Sequence, residues 1–428
     1  MLLTLIVVLI FLGVVIVARA PIRRGEPRVF VFAKMGSKRI LAEAVGRGYS
    51  LSRRGRIAPV VPVSTSNARG LRIEEAIPSG GPLGARVALV EAGNAQIVRS
   101  RYPFSYQPLD DARLELLRER FDLDRVLTNG RSDLQRALLM ADWVRAQFRY
   151  GPPKQRVSRA MGALEIIERG RAGETFLCGQ ACLTFVQCLL TLGIQGRLLN
   201  IAADPSHAHV VAEVWDDKAG KWVLIDVDNN LHYRREGVPL NALELHRAWL
   251  DGAWGAITPV FGKSLHMKVP DVDPHNKIPY YAFIAVKMRN DWLSVRYPPW
   301  HPQGSCVFAD LEWTDDRTHG RIDRAVRTRR PEDLYWTLHQ TEIRVPGVQS
   351  SSSRLSAELF FEHSTPDFRA FEVTANGVVS RTDQPRFTWP LVPDSNRLAV
   401  RTLDVLGRPG IPSQVNLFVP TRSRVESL

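Results

Sequence analysis

Thr175-Phe176-Leu177-Cys178-Gly179-Gln180-Ala181-Cys182 opens the stretch whose reading decides the fold. Residues 177–192 are apolar nearly all round, with Ala181, Phe185, Val186, Leu189, Leu190 and Leu192, and Gly193 stands where a helix would close. A helix without a polar face belongs at the centre of a core, and glycine readily takes the left-handed conformation past a helix end. Gly173 and the polar Glu174-Thr175 supply a loop leading in, so Cys178 falls at the helix start. Unpaired amides there favour a thiolate, and the cysteine's own amide can point at a developing oxyanion.

Three strand-like runs follow, at residues 197–202, 209–215 and 222–227, the last two joined by Asp216-Asp217-Lys218-Ala219-Gly220. Helices followed by a sheet predict an α+β arrangement. Residues 209, 211, 213 and 215 share one face of their strand, and 222, 224, 226 and 228 one face of the next. With residues 216–219 as the loop, Trp215 pairs with Gly220, Glu213 with Trp222 and His209 with Asp226. The carboxylate then lies across from the imidazole, about 5 Å between Cβ atoms. Asp226 could fix the ring's tautomer while the other nitrogen takes the thiol proton of Cys178. A cysteine, a histidine and a carboxylate in this order are how one broad class of thiol enzymes presents nucleophile, base and orienting group.

These residues resemble the transglutaminase-like superfamily, which has a papain-like core. Its Gly-Ile-Pro-Ala-Arg sequence, about fifteen residues after the cysteine, is matched by Gly193-Ile194-Gln195-Gly196-Arg197. Its His-x-x-x-Glu-Val strand is matched by His209 to Val214, and its Trp-x-x-x-Asp-Pro strand by Trp222 to Val227. Gln195 and Gly196 replace Pro-Ala, Val227 replaces Pro, and Ala181 falls one place earlier than the usual small residue. The resemblance covers roughly residues 110–235. It implies acyl transfer through a thioester on Cys178, with His209 as proton carrier and Asp226 as its orienting partner, acting on a peptide or carboxamide. It does not choose between hydrolysis and transfer to an amine.

Bland readings stand beside this one. Cys182, Cys188 and Cys306 read as small core residues. His207 shares the face of His209 and is the alternative base. Cys178, Cys182, His207 and His209 could together ligate a metal, but Cys-x-x-x-Cys with His-x-His is weak for zinc, and no cofactor is expected. Asp228, Asn229 and Asn230 read as turn residues. The competing class is a binding or scaffold protein with a degenerate core, using a C-terminal sandwich to hold a partner or glycan.

Outward from the core, Leu114, Leu117 and Phe121, then Leu134, Ala137, Leu138, Ala141 and Val144, recur at helical spacing, with Asn129-Gly130 between the two helices. Gly151-Pro152-Pro153 stops the second, and a third at residues 160–168 is ended by Gly170. From residue 338, short alternating strands take over, at 354–361, 368–373 and 397–403, and Val415, Leu417 and Val419 repeat the alternation. With the turn signals Asn376-Gly377 and 407–410 they predict an immunoglobulin-like or fibronectin-like β-sandwich. Residues 350–353 read as a linker, and residues 29–31 and 60–63 as strands. The expected organisation is an anchor at 1–20, a basic region of β-rich or irregular structure at 21–105, the catalytic domain at 106–260, an extension of uncertain fold at 261–337 and the sandwich at 338–428.

The formal charge of +13 over 428 residues raises nucleic acid as a partner, but most of it is local. Residues 19–56 hold eleven Lys or Arg against Glu26 and Glu43, and no nucleic-acid motif accompanies them. Residues 2–18 are an unbroken uncharged run long enough for a transmembrane helix, and a basic block after a span reads as a lipid contact or topology signal. No Lys or Arg precedes the run and Pro21 follows it, which favours a single-pass anchor over a cleaved signal peptide. The flanking arginines argue for a cytoplasmic body. The family resemblance argues for the outer side, and the expectation leans that way.

Overall fold

The computed structural model describes residues 4–10, 13–21, 27–35, 38–44, 87–154, 161–204, 207–264, 280–293, 310–320, 325–350 and 355–420. The chain divides into two compact units, residues 1–65 and 66–428. In the first, β1 (Thr4–Ile10), β2 (Gly13–Pro21), β3 (Pro27–Met35) and β4 (Lys38–Ala44) form an antiparallel sheet in sequence order. The described parts of the run at 2–18, residues 4–10 and 13–18, are thus paired strands and not the expected transmembrane helix. Nine of its seventeen residues are Val, Ile or Thr, whose branched Cβ favours extended backbone, and Gly13 sits at the turn side of the β1–β2 pairing. No helix among the described residues is long and apolar enough to cross a membrane. The strand expected at 29–31 lies within β3; the one expected at 60–63 lies outside the described residues.

The second unit is α+β. After β5 (Ala88–Gly93) come α1 (Ala112–Arg120), α2 (Leu123–Val126), α3 (Asp133–Arg145), β6 (Arg149–Tyr150), α4 (Ala163–Arg171), β7 (Thr175–Phe176) and α5 (Cys178–Leu190). Asp111 and Ser132 cap α1 and α3 by accepting from Arg113 N and Gln135 N, as their short oxygens predict. Helix α4 does not end before Gly170. That glycine lies inside it because a Cβ there would meet Phe148 Cβ at 2.6 Å and the Gln147 carbonyl at 3.0 Å. Helix α5 is the predicted core helix: Ala181, Cys182, Phe185, Val186, Cys188, Leu189 and Leu190 are buried, and Gly193 (φ 71°) turns the chain after it. Each large apolar side chain so buried contributes about 1.5–3 kcal/mol.

Next come β8 (Gly196–Asp204), β9 (His207–Asp216), β10 (Lys221–Ile225), β11 (Leu231–Arg235), β12 (Val238–Pro239), α6 (Ala242–Leu250), β13 (Thr258–Phe261), β14 (Phe283–Lys287), β15 (Asp310–Trp313), β16 (Val326–Thr328) and α7 (Pro331–Leu334). A six-stranded sheet runs in the order β10-β9-β8-β14-β15-β16. Both faces are covered. Ala212, Val214, Val223 and Ile225 pack with α3, α4 and α5, while Val211, Trp215, Trp222 and Leu224 pack with α6 and an aromatic layer containing Tyr233, Tyr281 and Trp336. Residues 261–337, unreadable in sequence, thus supply three strands to the core sheet.

The remaining strands are β17 (Thr341–Ser350), β18 (Leu355–His363), β19 (Phe368–Ala375), β20 (Val378–Thr382), β21 (Arg386–Leu391), β22 (Asp394–Asp404) and β23 (Ser413–Val419). They form sheets β17-β18-β21 and β20-β19-β22-β23-β5 around one core that includes Phe361, Phe371, Trp389 and Val400. Leu398, Val400 and Thr402 point inward together, and Asn376-Gly377 (φ 50° and 85°) makes the β19–β20 turn. Two features differ from expectation. Strand β5 joins the sandwich from the far end of the unit by pairing with β23, and the linker expected at 350–353 falls at the junction of β17 with its own antiparallel partner β18 rather than between modules.

Candidate active site

Cys178 is the first residue of α5, with Leu177 at the N-cap position and the Gln180 side chain accepting from Leu177 N at 3.2 Å. Just ahead, β7 pairs in parallel with β6, and Gly151 N donates to Phe176 O at 3.1 Å, which sets Tyr150 beside the approach to the cysteine. Cys178 is partly exposed, whereas Cys182 and Cys188 are buried. Cys182 Sγ donates to Val210 O at 3.3 Å and so ties the first turns of α5 to the strand that carries His209. Burial pushes both inner thiols far up, as expected of core cysteines. Cys306 lies outside the described residues.

His209 is 8 % exposed on β9, and its Nε2 stands 3.0 Å from each carboxylate oxygen of Asp226. The expected face is therefore right, but the register is not. Lys221 pairs with Asp216, Trp222 with Trp215 and Leu224 with Glu213, so the loop is residues 217–220 and Asp226 lies diagonal to His209 rather than opposite it. A slip of two preserves the face. Positive φ at Gly220 (59°) places that residue inside the turn rather than in the strand opposite Trp215 as expected.

Asp226 lies just past β10, in a tight turn closed by reciprocal bonds with Leu231, Asp226 N to Leu231 O at 2.9 Å and Leu231 N to Asp226 O at 3.0 Å. Asn230 takes the left-handed conformation there (φ 47°). Asn229 N donates to Asp226 Oδ1 at 3.1 Å, and Asn229 Nδ2 to Oδ2 at 2.8 Å. Arg145 of α3, itself 3 % exposed, grips the turn through Nε to the Asp228 carbonyl at 3.0 Å. Asn229, read in sequence as a turn residue, thus also fixes the carboxylate. The Asx spacing of three carries that signal, because an aspartate oxygen at a turn accepts from amides that follow it.

The electrostatics follow from these contacts. Burial opposes a charge on His209, yet the Asp226 carboxylate, by charge and hydrogen bond, and then the Cys178 sulfur hold the imidazole well above the usual histidine range. Burial likewise opposes the Asp226 charge, and His209 and Asn229 outweigh it, so the carboxyl lies below its ordinary value. Tyr280 meets the His209 ring edge-on at 6.3 Å. The arrangement is a buried imidazole–carboxylate pair with a half-exposed thiol beside it, chemically suited to moving one proton to and from sulfur.

The matched motif residues outside this cluster have a different place. Arg197 and Glu213 are wholly buried and form an ion pair at 2.6 Å. Arg197 also donates to Leu334 O at 2.5 Å and lies 4.1 Å from the Trp222 ring centroid and 4.7 Å from that of Trp336. The other Glu213 oxygen accepts from Ala242 N at 2.8 Å, at the start of α6, and from Tyr335 Oη at 3.0 Å. This network lies on the same face of β9 as His209 and sets the strand that carries it. His207 begins β9, and its side chain lies outside the described structure. Among the described residues, no group of three or more His, Cys, Asp or Glu side chains could hold a metal ion.

Residues 123–227 match the model of the transglutaminase-like superfamily, a span that contains Cys178, His209 and Asp226. No curated protein matches the chain.

Proposed function

Starting from a transglutaminase-like segment at residues 123–227, we propose that the protein is a thiol enzyme that cleaves or transfers acyl groups of peptides or carboxamides. The observation that carries this reading is the Nε2 of His209 held 3.0 Å from both oxygens of Asp226, with Cys178 at the start of α5 beside the same ring. Since Nε2 is engaged by Asp226, the proton exchanged with sulfur passes through Nδ1. The Cys178 thiolate attacks the carbonyl carbon and a C–S bond forms. The tetrahedral oxyanion collapses, the C–N bond breaks, and imidazolium His209 gives its proton to the leaving amine. Water or an amine then loses a proton to His209 as it attacks the thioester, and the acid or new amide leaves as sulfur takes back the electron pair. The Cys178 amide, at the first helical position, is the proposed oxyanion donor.

Alkylation by iodoacetamide at neutral pH tests the reading. Cys178 should label fastest of the four cysteines, Asp226→Asn should slow that labelling at least tenfold, and Cys178→Ala should abolish any hydrolysis of carboxamide substrates. Cys178 labelling no faster than Cys306 would exclude the enzymatic reading in favour of a degenerate binding core. Two further parts of the proposal rest on narrower support. The two-sheet architecture at 341–419 supports an immunoglobulin- or fibronectin-like module. The apolar run at 2–18 and the basic residues after it support membrane attachment, which fractionation of cells expressing chains with and without residues 1–20 would test.

A further inference from the structure

A cavity of about 480 Å³ opens on the second unit, with none of Cys178, His209 or Asp226 in its wall, although Ile225, Asn230 and Leu231 beside Asp226 contribute to it. Its apolar surface comes from Leu138 and Leu139 on α3 and from Val260 and Phe261 on β13, all only partly covered by neighbouring protein. Two cations, Arg131 and Lys263, line it as well, and both are exposed. Among the described residues of the wall the one carboxylate is Asp142, and its Oδ1 is taken by three N–H donors: Asn230 Nδ2 at 2.6 Å, Lys263 N at 2.6 Å and Ser264 N at 3.1 Å. His232 adds no charge at neutral pH: burial, then the charge of Arg234, hold it down at about 4, and its Nε2 accepts from Arg234 Nε at 3.0 Å.

The wall therefore combines aliphatic and aromatic surface with a net positive charge, in a volume within the roughly 300–1,000 Å³ range of small-molecule sites. A ligand that satisfies both needs an apolar body and one anionic head. The apolar walls desolvate the chain, and the two cations answer the head without displacing the contacts of Asp142. We infer that this cavity is a binding site for an amphiphilic carboxylate, with the chain against Leu138, Leu139 and Phe261 and the head toward Arg131 and Lys263.

The test uses the full chain, with decanoate as probe and decanol as the uncharged molecule of equal chain length, read by isothermal titration and by thermal melting. Decanoate should bind saturably and raise the melting temperature, and decanol should bind at least tenfold more weakly. Arg131→Gln/Lys263→Gln, both at exposed positions, should melt as the parent does without ligand, yet lose at least tenfold in decanoate affinity while leaving decanol unchanged. Leu139→Glu should weaken both. Cys178→Ala should bind decanoate as the parent does, so the outcome is independent of the thiol chemistry. Absence of saturable binding, equal affinity for decanol, or an unaltered affinity in the double variant would each overturn the assignment.

Discussion

Arg197→Met is the substitution that most directly tests how the core holds the strand of His209. The guanidinium is wholly buried, with Nε and Nη2 on Glu213 Oε2 at 3.0 and 2.6 Å and Nη1 on Leu334 O at 2.5 Å. Methionine fits the slot between Trp222 and Trp336 but leaves Oε2 charged, dry and without a donor. Breaking a buried pair on one side costs about 3–5 kcal/mol, and the lost stacking on the rings belongs to the same figure. At about 1.3 °C per kcal/mol for a unit of this size, the melting temperature should fall by about 4–7 °C. Glu213→Gln in the same chain removes the orphaned charge while its amide oxygen still accepts from Ala242 N and Tyr335 Oη. The double variant should therefore recover more than half of the loss. Melts followed by tryptophan near-UV dichroism give both numbers. A single variant within 2 °C of the parent, or a double variant no better than the single, would refute the account of the pair.

The His209–Asp226 pair predicts a pH signature. His209 is raised above its unfolded value of about 6.5, so its contribution is full below that pH and is lost as pH climbs through the folded value; Asp226 is depressed below about 3.9, so its contribution is present above that pH and is lost as pH falls through the folded value. The stability gap between the parent and His209→Gln, from urea melts at pH 3 to 9, should thus be widest between about pH 4 and 6.5, and a flat gap would count against the pairing. Gly170→Ala should destabilise by about 1–3 kcal/mol in the same melts, despite alanine's better helix propensity, because its Cβ meets Phe148 Cβ at 2.6 Å; a stabilised variant would contradict that contact.

Much of the site was legible because two periodicities sufficed. The helix from Cys178 is apolar all round and had to be central, and alternation along β9 and β10 put His209 and Asp226 on one face whatever the exact loop. The register itself was not legible, since Asp217 to Gly220 offers more than one four-residue turn and only the left-handed Gly220 decides it. Asn229 escaped because a side chain that caps a carboxylate looks like any turn asparagine. The pairing of Arg197 with Glu213 joins adjacent strands β8 and β9, yet two charges in apolar runs gave no hint of sharing one dry slot with Trp222 and Trp336. Residues 261–337 were unreadable because β14, β15 and β16 are three to five residues long and take their meaning from the strands beside them.

Strand β5 has a consequence for how the chain is made. It pairs with β23 across a separation of more than three hundred residues, reinforced by Asn416 Nδ2 on Glu91 at 2.9 Å, while Asn94 exchanges two bonds with Ile343 of the opposite sheet at 2.8 and 2.9 Å. During synthesis the amino-terminal strand must wait, unpaired, until nearly the whole polypeptide has emerged, so closure of the sandwich is the slow, late event and the intervening core folds as a loop between its halves. A sandwich excised at residue 338 would leave the β23 edge bare and open to pairing with another copy.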